Sequence, residues 1–337
     1  MPNSKSSSMK TKAALLIAAS AAALVLSAVL SICLGASGLS PGELWHALIS
    51  GPGTSKASRI LWYVRLPRTF ACIMAGAALA VSGTVIQKVL ANNLASPGII
   101  GVNAGAGLAV AACCAAGNYA AWAIAGSSFL GAMAATFLVV IVARKSNASR
   151  TTVVLGGVAV TACINAVTET IVTVFPDAAL ASADFRVGGF SSVNQGRLLP
   201  AAVLIFSGIA VICTLTNELD VMSLGDDTAN ALGLRVARMR NMMLTLAAML
   251  AGASVSFAGI LGFVGLIVPH MARRIIGNDS GHLIPFCALL GGSFITVCDI
   301  VARMLFAPYE LPTGIIMSFL GGPFFIWLLL RRRERQP

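Results

Sequence analysis

The stretch VRLPRTF, residues 64–70, sets Arg65 and Arg68 around Pro67 at the mouth of a long apolar run. Guanidinium groups at such a place can snorkel to lipid headgroups while their stems stay in the apolar layer. A third arginine, Arg303, closes another apolar run and can pair with Asp299 one helical turn earlier. A second group of polar residues, Asn165, Thr168, Glu169, Thr170 and Thr173, recurs inside one apolar run. Such groups are costly against lipid, so they are expected to face the bundle interior or a water-filled route, or, for Glu169, to reach water at the nearby interface. A third candidate is the polar segment NELDVMSLGDDTANALGLRVARMR, 217–240.

Familiar catalytic chemistry is missing. His46, His270 and His282 are scattered and assemble no Ser/His/Asp or metal-ligand spacing. The eight cysteines lie singly or as one vicinal pair with no C-x-x-C, which suits packing. Without G-x-x-x-x-G-K-[ST] the chain has no phosphate-cradling loop, so neither an enzyme nor an ATPase is expected.

The elements that must position these residues follow from composition. Hydrophobic residues make up 57% and charged residues 10% of the chain, and the mean hydropathy is +0.88. Soluble domains carry about 25% charged residues. An all-α polytopic membrane protein is predicted, because alternating barrel strands are absent and 33 glycines suit close helix packing. Net charge of +11 raises nucleic acid as a partner, but the basic residues fall in short clusters between apolar runs, and no nucleic-acid binding is expected.

With about 20 apolar residues per span, ten transmembrane helices are predicted: 13–34, 69–90, 99–116, 120–142, 152–175, 198–215, 241–257, a short 261–271, 283–303 and 311–330. The chain divides into a tail (1–12), a membrane domain (13–330) that includes the 217–240 segment, and a second tail (331–337). With the N-terminus inside, the clusters Arg144/Lys145/Arg150, Arg235/Arg238/Arg240, Arg273/Arg274 and Arg331–Arg333 with Arg335 all fall in the cytoplasm. Arg65, Arg68 and Arg303 then stand on the outer face, against that bias.

Within the polar segment, LGDDTANALGL reads as one short helix. Asp226 and Asp227 suit its cap and first turn, Gly233 its stop, and Ala229, Leu232 and Leu234 make a small apolar face. That face could meet a partner or pack on its own protein. ANNLASPGIIG and AGILGFVGLIVPH break the backbone at membrane depth, which is tolerated only when buried or lining a cavity. GVNAGAG (101–107) and GAALAVSG (76–83) are read as helix-packing surfaces.

RLPRTFACIMAGAALAVSGTVIQKVLANNLASPGIIGVNAGAG, LGDDTANALGL, GFVGLIVPHMARRIIG and DIVARMLFAPYELPTGIIMSFLGGPFFIWLLLRRR resemble, in order, the permease subunits of type II ABC importers for iron-siderophores, haem and cobalamin (FecCD-type permeases). The resemblance implies the ten-helix permease fold in a bacterial inner membrane, with both termini cytoplasmic. It implies a second permease subunit, identical or homologous, two ATPase subunits carrying ATP-Mg, and an extracytoplasmic substrate-binding protein; this chain itself would bind no cofactor. Carried over by motif, Arg65, Arg68 and Arg303 would dock the binding protein. Leu224, Gly225, Asp226, Asp227, Ala229, Leu232 and Gly233 would form the ATPase-coupling element. Asn165 and Glu169 would line the path, and Thr151 and Thr152 its inner constriction. The expected cargo is an iron(III)-siderophore, with haem, cobalamin or another metal chelate as alternatives. An ATP-independent secondary transporter is a weaker alternative, because Glu169 and Asp299 are the few acids within the spans.

Overall fold

The computed structural model describes residues 3–35, 38–145, 150–193 and 195–333. Residues 1–2 of the expected first tail, 334–337 of the expected second tail, and 146–149 of the loop before the fifth span lie outside the described residues. The helices are α1 (Asn3–Cys33), α2 (Pro41–Ile49), α3 (Lys56–Ile60), α4 (Leu66–Val89), α5 (Val102–Ala115), α6 (Ala121–Lys145), α7 (Arg150–Val174), α8 (Pro176–Val187), α9 (Gln195–Thr214), α10 (Thr216–Ser223), α11 (Asp226–Ala231), α12 (Val236–Ala258), α13 (Val264–Ile276), α14 (Ser280–Met304) and α15 (Thr313–Arg333).

Each of the ten expected spans contains a helix. Among the described residues six segments are long and apolar enough to cross a membrane alone: Thr11–Cys33, Lys56–Val89, Ala121–Val142, Thr151–Val174, Val236–Ala258 and Ser280–Met304. Leu198–Thr214 continues into α10 through a 62° bend, while α5, α13 and α15 supply shorter helices.

Several boundaries differ from the sequence expectation, among them α1, which begins at Asn3, and α12, which begins at Val236; two further ones have a local cause. The second span begins well before Thr69, because α3 runs through a π-helical turn, Leu61–Arg65, into α4. Pro67 lacks the N–H that would bond the Tyr63 carbonyl, and the turn before it widens so that the Leu66 N–H reaches back to Leu61. The eighth segment starts at Val264 rather than Leu261, since Gly259 (φ 69°) and Phe263 (φ 65°) hold the link after α12 out of helical geometry.

The core forms around α4, whose span is 83% buried. Its small residues decide this. A Cβ on Gly76 would overlap the Gly291 carbonyl of α14, and one on Gly83 would overlap the Gly265 carbonyl of α13. Backbones therefore approach closely, the main source of helix association where lipid offers no hydrophobic drive. The GVNAGAG stretch does likewise, with Gly105 of α5 against Gly131 of α6. Ser82 donates to the Ala247 carbonyl at 2.6 Å, and Gln87 to the Gly265 carbonyl at 2.9 Å, closing polar groups inside the bundle.

The spans of α1 and α7 are only 17% and 22% buried. Between α1 and α3, α2 opens with a capping box in which Ser40 and Glu43 bond reciprocally. The Ser40 backbone N–H, seconded by its hydroxyl, holds the Glu43 carboxyl below its ordinary range.

Candidate functional sites at the two ends and the wall of the bundle

The three arginines singled out by the sequence converge at one end of the bundle, but not as rim charges. Arg65, Arg68 and Arg303 are 3%, 6% and 3% exposed, so headgroup snorkelling is excluded. Arg68, in the first turn of α4, directs Nε to both oxygens of Asp299 at 3.2 and 3.1 Å, and Nη2 to Oδ1 at 3.0 Å. Arg303 adds its Nε to Asp299 Oδ2 at 3.0 Å, the i,i+4 pairing anticipated from spacing. Thr313, opening α15, donates to Asp299 Oδ1 at 2.9 Å. One fully buried carboxylate thus joins α4, α14 and α15. A carboxylate is kept at such depth by paired charges and several donors, since an isolated one would cost far more than it returns.

The same end closes on α1. Arg303 Nη2 donates to the Ser31 hydroxyl at 2.9 Å, and that hydroxyl lies 2.8 Å from Thr69 Oγ1. Arg65 Nη1 donates to the carbonyls of Ile32 and Cys33, at 2.5 and 2.9 Å. Arg68 Nη1 also meets Glu310 Oε2 at 2.6 Å. Arg65, Arg68, Arg303 and Glu310 line an open cavity of about 380 Å³. The three arginines line it from buried positions rather than standing as rim charges.

At the opposite end, Lys88 in the last turn of α4 donates from Nζ to Asp220 Oδ1 (2.5 Å), the Asn278 carbonyl (2.5 Å) and Ser280 Oγ (2.6 Å). Asp220, on α10, also accepts from the Ser280 N–H at 3.1 Å. Beside it, Arg273 donates to Gln87. Nothing in the sequence singled out this knot, because Lys88 and Asp220 are 132 positions apart.

Next to it lies the short helix of the polar segment. It is α11, Asp226–Ala231, with Gly225 (φ 111°) as its N-cap and both aspartates in the first turn. The Leu234 N–H bonds Ala229 O at 3.0 Å and the Gly233 N–H bonds Asn230 O at 2.9 Å, a Schellman stop with Gly233 at φ 85°. Asp226 pairs with Arg240 of α12 at 2.5 Å. The expected apolar face changes. Ala229 is fully buried against its own protein, Leu234 packs on the core, and Leu224 and Leu232 are exposed at 61% and 64%. The helix ends at Ala231, so Leu232 leaves the face on which Ala229 sits.

Asn165 and Glu169 are exposed on α7 and line a cavity of about 280 Å³ with Asn103, Thr161, Thr168 and Arg186. Glu169 Oε1 pairs with Arg186 Nη2 of α8 at 2.8 Å, both side chains being well exposed. The sequence reading missed Arg186, since α8 was not recognised as a helix of its own. Thr151 and Thr152 open α7, about 27 Å from Glu169 by helical rise. The structure does not bring them to that cavity.

Among the described residues no three His, Cys, Asp or Glu side chains converge on a common point. Of the cysteines, Cys72, Cys114, Cys287 and Cys298 are buried. Glycine-packed helices, polar knots at both ends and a polar side wall describe a multi-pass membrane permease.

The comparisons with known proteins make this specific. The chain belongs to the FecCD transport family, whose profile matches residues 23–331. It is 33% identical over 320 residues to the hemin transport system permease protein HmuU of Yersinia pestis, covering 93% of this chain and 94% of that one. It is 35% identical over 316 residues to the vitamin B12 import system permease protein BtuC of Escherichia coli O9:H4 (strain HS), covering 92% and 93%. A solved structure described as an inward-facing metal-chelate type ABC transporter superposes with a TM-score of 0.83 at 26% identity, over 94% of this chain and 98% of that one. A second, PsaBC from Streptococcus pneumoniae in complex with Fab, shares the fold alone, with a TM-score of 0.58 at 14% identity over 80% of this chain and 92% of that one. The chain is thus a type II ABC importer permease for metal chelates and not itself an enzyme. A permease of this class implies a permease pair, ATPase subunits on which ATP is hydrolysed, and a binding protein.

Proposed function

We propose that this permease carries an iron(III)-siderophore inward across a bacterial inner membrane by alternating access. It works with a second permease subunit, identical or homologous, with two ATPase subunits and with an extracytoplasmic binding protein. The observation that carries the siderophore reading is the polar wall of Asn103, Thr161, Asn165, Glu169 and Arg186. It offers donors, acceptors and a balanced ion pair that a hydrophilic chelate can use. The names of the two permease relatives favour haem or cobalamin as the second reading.

In this reading both termini are cytoplasmic and the arginine end faces outward. Positive-inside clusters support the orientation. The cavity over Arg65, Arg68 and Arg303 receives acidic residues of the binding protein, and its enclosed guanidinium groups orient the encounter. The segment Leu224–Gly233 engages the ATPase through Leu224 and Leu232, with Gly225, Asp226, Asp227 and the buried Ala229 shaping the helix. Asn165 and Glu169 line the path, and Thr151 and Thr152 narrow its inner end. Tails 1–12 and 331–337 flank the 13–330 permease domain.

Uptake decides it. Proteoliposomes holding the permease with its ATPase, supplied with binding protein, should accumulate radio-iron given as a hydroxamate chelate, only with ATP. Uptake of haem or cobalamin instead would move the cargo to the second reading, and ATP-independent flux would refute the importer.

A further inference from the structure

Glu310 stands where an incoming carboxylate would bind. It sits in the 305–312 connection between α14 and α15, and its carboxylate meets Arg68 Nη1 at 2.6 Å. The two acids of the cluster differ in kind. Asp299 has a side chain with no exposure and accepts from Arg68, Arg303 and Thr313. Glu310 has a side chain 36% exposed, and its described bond is to Arg68 alone.

Arg65, Arg68, Arg303, Pro308 and Glu310 all line an open cavity of about 380 Å³, and Glu310 is the carboxylate that reaches it. The depth of the cavity keeps water from screening these guanidinium groups as it would at a flat surface.

We propose that Glu310 is an internal stand-in for the binding protein's carboxylate: on docking, an acidic side chain of the binding protein takes Arg68 Nη1 and Glu310 swings out to water. The inference rests on the docking reading of the arginines and adds what opposes docking. Two carboxylates crowding one guanidinium repel, so the more exposed one yields. Asp299 stays, because removing it would strand Arg68 and Arg303 together. Because one carboxylate replaces another, the exchange leaves the net charge of the cavity unchanged and favours an acidic partner over a neutral one.

The experiment uses the reconstituted permease–ATPase complex and its cognate binding protein, with association and dissociation followed over a range of salt. Glu310→Gln removes the competitor. Binding should tighten about fivefold, the scale of one partly exposed ion pair, with faster association and a steeper salt dependence because the cavity carries one more positive charge. Glu310→Asp keeps the charge in the cavity and should retain the wild-type salt dependence. Arg65→Ala, which leaves every Asp299 pair in place, should weaken binding. Affinity and salt slope unchanged or lower in Glu310→Gln, with Arg65→Ala still weakened, would overturn the exchange and leave docking standing. Unchanged binding in Arg65→Ala would instead remove the docking reading beneath it.

Discussion

Arg68 and Asp299, 231 positions apart, form a three-bond guanidinium–carboxylate contact at 3.0–3.2 Å that ties the outward-assigned ends of α4 and α14 together. At the other end of the same two helices, Lys88 of α4 bonds Ser280 of α14 at 2.6 Å. Between them Gly76 and Gly291 let the backbones touch. The two helices form one strut, held at both ends and packed at the middle.

Asp299→Ala should destabilise the permease by about 3–5 kcal/mol, because Arg68 and Arg303 are left as buried charges without their counterion. Thermal unfolding in detergent reads it. The same geometry predicts that Arg68→Glu and Arg303→Glu fail as folding variants, since each would set a second carboxylate beside Asp299. Wild-type unfolding temperatures in all three would refute the clamp.

Gly76→Val should cost about 1–3 kcal/mol or more through overpacking, because the added atoms meet the Gly291 backbone and not a side chain that can turn away. Gly42→Ala, with open space around its Cβ, is the control. Equal yields of folded protein from the two variants would contradict the close approach of α4 and α14.

Lys88 and Asp220 link the strut to α10, the helix just before the segment proposed to engage the ATPase. Asp220→Asn should leave the ATPase bound but lower transport per ATP hydrolysed severalfold, because movement of α10 no longer drags α4. Parallel measurement of ATP hydrolysis and uptake tests this; an unchanged ratio would leave the Lys88 knot a packing feature.

Leu232→Glu should weaken ATPase-subunit binding about tenfold, the loss expected when a central apolar anchor is removed, without altering unfolding. Ala229→Leu should do the opposite and destabilise the fold, because Ala229 is buried in its own bundle. Replacing Asp226 together with Leu232 should uncouple hydrolysis from uptake, since the Arg240 pair that holds α11 is lost as well. Pull-down with the cognate ATPase and unfolding in detergent separate these effects.

Much of the candidate site was legible where chemistry is local. The i,i+4 spacing of Asp299 and Arg303, the glycine stop at Gly233 and the aspartates opening α11 each depend on neighbours within a turn, and the structure contains them. What the sequence left open was depth. Arg65 and Arg68 stand at the mouth of an apolar run, where snorkelling to headgroups is one reading, yet a π turn holds Arg65, the first turn of α4 holds Arg68, and both are buried. Whether Ala229 meets a partner or its own protein stayed open, because a six-residue helix has no long pattern to reveal which side packs.

Composition and hydropathy by themselves determined an all-helical membrane protein with ten helical segments and the alternation that puts Arg65, Arg68 and Arg303 at one end, because spanning length and the cost of charge in lipid act on each segment separately. Only the tertiary structure decided which charges meet: Asp299 with Arg68, Glu310 with Arg68, Lys88 with Asp220, Glu169 with Arg186. Most of these contacts join residues more than 100 positions apart, and they depend on how closely glycine-lined helices approach, a property of pairs of helices that no single segment carries.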